Sequence, residues 1–191
     1  MDPKTEKLVI IGSGPAGLTA AIYAARGGLN PLVISGRAAG GQLMLTTDVD
    51  DYPGFEDGIQ GPDLMMRMRK QAQRFDVRFI DEDVESVEFS QKPFTIKAES
   101  RELKAESIII ATGAQASWLG LESETRLRGR GVSACAVCDG FFFKGKIIVV
   151  VGGGDTAMRE AQHLSKIATK LYLVHRRGEF RAQKALVDLV T

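Results

Sequence analysis

A short pattern of aliphatic residues followed by glycines occurs twice in the chain, first as Val9-Ile10-Ile11-Gly12-Ser13-Gly14-Pro15-Ala16-Gly17 and again as Val149-Val150-Val151-Gly152-Gly153-Gly154-Asp155-Thr156-Ala157. Each aliphatic run is short and continuous, which is typical of a strand buried on both faces of a parallel sheet. Each pattern leads into a helix-compatible stretch and then into a second aliphatic run, at 32–34 and 171–174. The sequence therefore predicts two β-α-β units.

The glycines of such a pattern have separate roles where a strand passes into a helix. The first allows a tight turn, the second lets a pyrophosphate approach the backbone, and the third lets the helix pack closely on the strand. The helix N-terminus adds unpaired N–H groups and a partial positive charge, which both favour phosphate. A purely structural turn is the alternative for either copy. Two copies at corresponding places favour two nucleotide sites.

The end of the second strand in each unit indicates the nucleotide, because an acid there accepts a ribose 2′-hydroxyl whereas a basic residue accommodates a 2′-phosphate. The second unit ends in His175-Arg176-Arg177, with Arg181 one helical turn further along. Planar guanidinium groups at this place favour NADPH over NADH, with a solvated basic loop as the alternative. The first unit ends in Ser35-Gly36 without an acid, so this position leaves its ligand open.

The two cysteines, Cys135 and Cys138, form a CxxC motif between the two units. A zinc site needs four ligands, and both histidines, His163 and His175, fall in the second unit, so we predict no metal. A lone CxxC in a chain without an export signal indicates redox chemistry, with two incidental buried thiols as the alternative. The adjacent Asp139 can carry protons as thiols form or leave.

Composition and charge exclude several classes of protein. The chain has 191 residues, of which 44% are apolar and 26% charged, as in folded globular proteins rather than disordered ones. Its net charge of +1 provides no general attraction to nucleic acid or to a membrane surface. The aliphatic runs are far shorter than the roughly 18 residues of a membrane span, and the first residues do not form a signal peptide. We therefore expect a soluble, cytoplasmic protein with no nucleic-acid or membrane partner.

The chain between and after the glycine patterns adds further elements. Strands are predicted at 77–80, 84–89, 94–98 and 103–110, and a helix at 65–74. The run Phe141-Phe142-Phe143 is predicted to lie in the core. The segment 112–131 is rich in Gly, Ser and charge, and we expect the chain to leave its first domain there.

Taken together, these residues resemble the low-molecular-weight thioredoxin reductases, which are flavoproteins of the pyridine nucleotide-disulfide oxidoreductase class. The likeness runs from about Lys7 to about Val190. It rests on a series of blocks in the family's order: Gly12 to Gly17, Gly40-Gly41-Gln42-Leu43, Tyr52-Pro53-Gly54-Phe55, Ala111-Thr112-Gly113-Ala114, Gly129-Arg130-Gly131-Val132-Ser133, Cys135 to Gly140, Gly152 to Ala157, and His175-Arg176-Arg177 with Phe180-Arg181.

The resemblance implies an α/β fold with two Rossmann-like three-layer nucleotide-binding domains, both incomplete in this chain, since family members continue further. Residues 1–114 would be the N-terminal part of an FAD-binding domain, and residues 115–191 a truncated NADPH-binding domain with the CxxC. FAD would contact Gly12, Ser13, Gly14, Pro15, Ala16, Gly17, Ser35, Gly36, Gly40, Gly41, Gln42, Leu43, Asp51 (where the family often has Asn), Val84, Ala111, Thr112 and Gly113. NADPH would contact Gly152, Gly153, Gly154, Asp155, Thr156, His175, Arg176, Arg177 and Arg181.

The same resemblance implies an electron path. NADPH would reduce FAD, FAD would reduce the Cys135–Cys138 disulfide, and the dithiol would reduce thioredoxin or a thioredoxin-like protein. Cys138 would face the flavin, Cys135 would attack the partner disulfide, and Asp139 would donate and accept protons. A homodimer is expected. Two alternatives stay open: a nucleotide-binding fragment without turnover, and a sister flavoprotein that reduces a peroxidase partner.

Overall fold

The computed structural model describes residues 5–46 and 48–190. The chain divides into two compact units, the first ending at Gln115 and the second beginning at Ala116.

The first unit alternates strands and helices before it ends in a run of strands. Its elements are β1 (Thr5–Ile11), α1 (Pro15–Arg26), β2 (Leu32–Ile34), β3 (Asp48–Val49), β4 (Ile59–Gln60), α2 (Gly61–Gln73), β5 (Arg78–Ile80), β6 (Val84–Glu88), β7 (Phe94–Ala98) and β8 (Glu102–Ile110), with a 3-10 turn at Gly41–Leu45.

A six-stranded sheet in the order β5-β2-β1-β8-β7-β6 forms the centre of this unit. The first four strands of that order are parallel, and β7 and β6 continue antiparallel. In the register of β1, Ile11 lies between Ile34 of β2 and Ile110 of β8. The carboxyl ends of these three strands therefore meet at one edge, where ligands bind in open α/β sheets. The predicted Rossmann-like α/β fold is confirmed.

The core of the first unit explains the unbroken aliphatic run of β1. Leu8 and Ile10 pack into one cluster with Leu18 of α1 and Leu64 of α2. Val9 and Ile11 point the other way, into a cluster that includes Ile96 of β7. Both faces of β1 are thus buried, as a continuous apolar strand predicts.

Helix α2 begins earlier than the apolar spacing predicts, at Gly61 rather than at residue 65. Pro62 occupies the first turn of this helix, where its fixed φ is favourable and its missing N–H costs no hydrogen bond. A Cβ on Gly61 would overlap the carbonyl oxygen of Leu43, so only glycine fits at this start.

The second unit contains α3 (Glu122–Leu127), α4 (Ala136–Asp139), β9 (Ile147–Val151), α5 (Asp155–Leu164), β10 (Lys170–Val174) and α6 (Lys184–Val187), with a 3-10 turn at Gly140–Phe143. Strands β9 and β10 are parallel, with Val151 beside Val174. Helix α5 covers one face of this pair through Ala157, Ala161 and Leu164. The opposite face exposes a row of apolar side chains: Ile147, Val149, Val151, Tyr172 and Val174.

The prediction that the phenylalanine run lies in the core is wrong. Phe141 is 75% exposed and Phe142 60% exposed, whereas Phe143 is half-buried. The run forms a short 3-10 turn directly after α4. Gly140, at its start, packs against Leu164 of α5, and the next two rings point to solvent.

Candidate functional site

The glycines of the first loop have different surroundings. Gly12 has a φ of +109°, and a Cβ there would overlap the carbonyl oxygen of Ala111. A Cβ on Gly17 would overlap the carbonyl oxygen of Gly12. No heavy atom lies within 4 Å of the place where a Cβ on Gly14 would stand. Gly12 and Gly17 are therefore required by the packing of the loop, whereas Gly14 leaves open space beside it.

Helix α1 presents its N-terminus at this open space. Gly14 is the N-cap residue and Pro15 follows it, so no side chain caps the first turn. The first turn also contains no acidic residue. These are the conditions under which backbone N–H groups and the helix dipole can receive a phosphate.

Ser13 connects three of the predicted cofactor segments. Its hydroxyl donates to the carbonyl oxygen of Ser35 at 3.1 Å and accepts the N–H group of Gly40 at 3.0 Å. A Cβ on Gly41 would stand 3.6 Å from Cα of Gly14. The glycine loop, the end of β2 and the 3-10 turn containing Gln42 and Leu43 are thus brought together.

The other predicted residues of the first unit lie at varying distances from this centre. The N–H group of Ala111 donates to the carbonyl oxygen of Ile11 at 2.8 Å, which holds the start of the 111–113 segment beside the loop. Asp51 is exposed between β3 and β4, and Val84 begins β6. Within 5–46 and 48–190, no hydrogen bond joins Asp51 or Val84 to the glycine loop.

A charged cluster of Arg37, Asp83 and Glu99 lies beside the end of β2, and no sequence motif predicts it. Asp83 accepts the N–H group of Arg37 at 2.9 Å through Oδ1. The Arg37 side chain forms an ion pair with Glu99 at 2.8 Å. The hydrogen bond from the Arg37 side chain to Glu99 and the charge of Glu99 raise the pKa of Arg37 above its ordinary value. The three residues come from separate parts of the chain, so no local spacing identifies them.

The second glycine loop is held by the segment that follows β10. The N–H groups of Arg181 and Ala182 donate to the carbonyl oxygen of Gly153 at 2.8 and 3.1 Å. The N–H group of Gln183 donates to Oδ1 of Asp155 at 2.8 Å. As in the first unit, a Cβ on Gly154, the N-cap residue of α5, would meet no heavy atom within 4 Å.

His175 lies over the second loop. A Cβ on Gly153 would overlap its imidazole ring, so the glycine allows the ring to approach the backbone. The ring stacks on Phe180 with a centroid separation of 5.6 Å, and Nε2 lies 3.2 Å from the carbonyl oxygen of Glu179. His175 is thereby held over the loop that the spacing predicts as a phosphate site.

Arg176, Arg177 and Arg181 are all exposed at the end of β10 and just beyond it. In the part of the chain that the structure describes, none of the three forms an ion pair with a carboxylate. Their guanidinium groups are therefore available to an anionic ligand, which is the arrangement that the NADPH prediction requires.

The two cysteines form a disulfide, with Cα atoms 5.4 Å apart. Cys135 is the N-cap residue of α4, and its sulfur accepts the N–H group of Cys138 at 3.2 Å. Cys135 is half-buried, whereas Cys138 is exposed. Cys138 is thus the more accessible residue of the pair, and the sulfur of Cys135 is bound to the helix backbone.

Two polar side chains support this helix. The hydroxyl of Ser133 accepts the N–H group of Cys135 at 3.0 Å and donates to its carbonyl oxygen at 3.2 Å. Glu160 of α5 accepts the N–H group of Ala136 at 3.3 Å. The sequence motif does not indicate Glu160, because the contact joins two different helices.

Asp139 ends α4, and its side chain is half-buried. Among the residues whose placement is described, its carboxylate has no hydrogen-bond or ion-pair partner, although its N–H group donates to the carbonyl oxygen of Cys135 at 3.1 Å.

Within 5–46 and 48–190, no group of His, Cys, Asp and Glu side chains could hold a metal ion. None of the described helices is long and apolar enough to cross a bilayer.

Residues 6–189 match the family of pyridine nucleotide-disulphide oxidoreductases. The chain belongs to this family. It is 51% identical over 185 residues to a thioredoxin reductase of Vibrio cholerae, and this alignment covers 97% of this chain and 58% of that protein. It is also 50% identical over 188 residues to a protein of Pseudomonas fluorescens named glucosaminate ammonia-lyase, covering 98% of this chain and 59% of that protein.

A solved thioredoxin reductase from Giardia duodenalis superposes with a TM-score of 0.88 at 46% identity, covering 95% of this chain and 59% of that one. The predicted resemblance to thioredoxin reductases is confirmed by these matches. The chain spans well under two thirds of the length of each of these relatives.

Proposed function

We propose that this protein is an FAD-containing, NADPH-dependent disulfide reductase that acts on thioredoxin or a thioredoxin-like protein. The observation that carries the proposal is the Cys135–Cys138 disulfide on a one-turn helix, with Cys138 exposed, in a chain with two phosphate-type glycine loops. The Pseudomonas fluorescens protein is 50% identical to this chain and has a different name from the thioredoxin reductases, so sequence identity alone does not decide the activity. The disulfide is therefore the more specific support.

The first unit suits the pyrophosphate of FAD, because the space beside Gly14 is open and the N-terminus of α1 has no side-chain cap. The residues that would hold FAD are those of the loop, Gly12 to Gly17, with Ser35, Gly36, Gly40 to Leu43, Asp51, Val84 and Ala111 to Gly113. When bound, FAD supplies reversible two-electron redox chemistry.

The second unit suits NADPH, because its loop is open at Gly154 and three unpaired guanidinium groups follow β10. The residues that would hold NADPH are Gly152 to Thr156, His175, Arg176, Arg177 and Arg181. We place the domain boundary between residues 114 and 115, with FAD bound before it and NADPH after it.

In the proposed reaction, the reduced Cys135 thiolate attacks a disulfide of the partner, and a mixed disulfide forms as one partner sulfur leaves. The Cys138 thiolate then attacks the sulfur of Cys135, which restores the Cys135–Cys138 disulfide and releases the second partner thiol. The partner gains two electrons and two protons, and the dithiol loses them. Asp139, whose carboxylate has no partner within the described parts of the chain, donates and accepts the protons at this site.

The exposed rings of Phe141 and Phe142 support a protein partner, since aromatic side chains beside a reactive group are typical anchors of protein interfaces. We further propose a homodimer, which rests on the resemblance alone. We also propose a cytoplasmic location, where thiols are kept reduced and a CxxC pair acts in redox chemistry rather than as a structural disulfide.

The test is flavin absorbance and NADPH-dependent reduction of a disulfide dye by the purified protein. We expect a yellow protein whose turnover falls below detection in Cys138→Ser. The control is Val137→Ser, which changes the exposed residue beside Cys138 and should retain turnover. Undiminished turnover in Cys138→Ser would contradict the proposal. Bound flavin without turnover would favour a nucleotide-binding fragment, and turnover only with a peroxidase partner would favour the sister flavoprotein.

A further inference from the structure

We propose that Asp83 supplies the carboxylate that recognises the adenosine ribose of the dinucleotide in the first unit, and that it selects a ribose with a free 2′-hydroxyl. The inference rests on the proposed function, which assigns FAD to this unit. It identifies the acid that the end of β2 lacks.

Asp83 lies at the place where a dinucleotide-binding unit carries its ribose-binding acid. In a dinucleotide-binding β-α-β unit, the ribose acid stands at the end of the second strand, about 20 residues after the glycines. This chain has Ser35 and Gly36 there. Gly36 has a φ of +75°, and a Cβ built on it would stand 3.1 Å from Oδ1 of Asp83. The carboxylate of Asp83 therefore lies where an acidic side chain at residue 36 would begin.

The fold explains how a residue from another strand reaches this place. Strand β5 is the parallel neighbour of β2, and the N–H group of Ser35 donates to the carbonyl oxygen of Ile80 at 2.8 Å. The segments that follow the two strands consequently meet at the same edge of the sheet. The hydrogen bond from the N–H group of Arg37 holds Oδ1 of Asp83, while Oδ2 has no partner in the described residues. That oxygen is available to a hydroxyl donor.

The local charge favours a hydroxyl over a phosphate. The N–H group of Arg37 is bound to Asp83, and its guanidinium group is bound to Glu99 at 2.8 Å. Two carboxylates therefore adjoin Arg37, Glu99 at its guanidinium group and Asp83 at its backbone N–H group. A 2′-phosphate placed here would meet like charge, whereas a ribose hydroxyl can donate to a carboxylate. The unpaired arginines of the second unit provide the opposite preference.

Ser35 provides a second, independent observation at the same strand end. This residue is 6% exposed, and its hydroxyl oxygen has no hydrogen-bond partner in the described structure. Buried polar groups are nearly always hydrogen-bonded, so an unpaired hydroxyl here indicates that a polar ligand or a water molecule completes the site.

The test compares the binding of FAD with the binding of an FAD analogue that lacks the adenosine 2′-hydroxyl. The full chain, freed of flavin, is titrated with each ligand by flavin fluorescence, as the unmodified protein and as Asp83→Asn. Asparagine keeps an oxygen for the N–H group of Arg37 and removes the charge. Asp81→Asn is the control, because it removes an acid that is paired with Arg69 at 3.0 Å in the same segment, and thermal midpoints verify that each variant is folded.

We expect the unmodified chain to bind the deoxy analogue about tenfold more weakly than FAD, as for a hydrogen bond to a charged group. Asp83→Asn should bind FAD about tenfold more weakly and should lose this discrimination, while Asp81→Asn keeps it. Equal binding of FAD and the analogue by the unmodified chain, or discrimination that persists in Asp83→Asn, would overturn the role of Asp83 and leave the flavin assignment intact. Absence of FAD binding by the unmodified chain would overturn both proposals.

Discussion

Gly14 and Gly17 separate two requirements of the first loop, ligand approach and backbone packing. Gly14→Ala places a methyl group in open space, so we expect little change in thermal midpoint. The same methyl group would stand where a pyrophosphate approaches, so the dissociation constant for FAD should rise at least tenfold. Gly17→Ala overlaps the carbonyl oxygen of Gly12 and should destabilise the unit by about 1–3 kcal/mol.

Thermal unfolding and flavin titration of both glycine variants test this separation. A Gly14→Ala protein with a strongly lowered midpoint, or a Gly17→Ala protein as stable as the unmodified chain, would contradict it.

The arginines after β10 should decide between the two nicotinamide cofactors. Replacing Arg177 with Gln removes one exposed guanidinium group without disturbing an ion pair described in the structure. We expect Arg177→Gln to weaken NADPH binding by about tenfold and to leave NADH binding within about twofold, because only NADPH has a 2′-phosphate to pair with it. Arg159→Gln, at an exposed position of α5, is the control. Titration with both cofactors measures the effect, and equal losses for NADPH and NADH would contradict it.

Sequence spacing predicts the residues that act through backbone geometry within one motif, and it misses those that act across the sheet. The two glycine loops and the basic cluster around Arg176 could be predicted from sequence, because each lies within a few residues of a strand end. Asp83 could not be predicted in this way, because its closeness to Gly36 depends on β5 lying beside β2. The position of the His175 ring over Gly153 likewise depends on the fold of residues 179–183.

Helix α3 depends on one acidic side chain for the turn that leads into it. Glu124 accepts the N–H groups of Leu119, Gly120 and Leu121 at 2.9, 2.8 and 3.1 Å. These bonds, the one from Leu119 foremost, lower the pKa of Glu124 below its ordinary value. Because the native state binds the proton more weakly than the unfolded chain, the stabilisation is present above the unfolded-state pKa and is lost as pH falls through the native value.

We therefore expect acid to loosen the 119–124 turn before the rest of the second unit. The chain's one tryptophan, Trp118, adjoins this turn, and the centroid of its ring lies 3.9 Å from the guanidinium carbon of Arg128. The fluorescence of Trp118 therefore reports on the turn. Fluorescence followed from about pH 7 to about pH 3 should show a transition below the ordinary glutamate range. Glu124→Gln should lack that transition, and an unchanged titration in this variant would contradict the assignment.

Apolar periodicity was a good guide to strands and a poorer guide to short elements. The predicted strands at 32–34 and 94–98 match β2 and β7. The one-turn helix α4 was missed, because four residues are too few to show a helical repeat and its N-cap is a cysteine. The exposed phenylalanines were assigned to the core for a related reason. Three consecutive apolar residues do not indicate which side chains face the core, and a 3-10 turn of four residues cannot bury every ring.

The two units differ in how completely their sheets are covered. In the first, β1 is buried on both faces. In the second, helix α5 covers one face of β9 and β10, and the other face exposes Val149 at 54% and Tyr172 at 46%. Contiguous exposed apolar side chains are a feature of interaction surfaces and of aggregation-prone ones. The continuous apolar run predicts burial on both faces for β9 as it does for β1, and for β9 that prediction is wrong, because the face opposite α5 is exposed.

This uncovered face should dominate the apolar surface that the second unit offers to a dye. With FAD and NADPH at saturation to block the nucleotide sites, we expect anilinonaphthalene sulfonate to bind the chain with enhanced fluorescence. Val149→Lys should reduce that signal by about half, because the charge interrupts the apolar row, and should leave the thermal midpoint nearly unchanged, because exposed substitutions typically shift stability by less than about 0.5 kcal/mol. Val137→Lys introduces the same charge at another exposed valine outside this sheet and should leave the dye signal unaltered. Equal losses in the two variants would show that the dye binds elsewhere, and the exposed face of β9 and β10 would then not be the principal apolar surface of the chain.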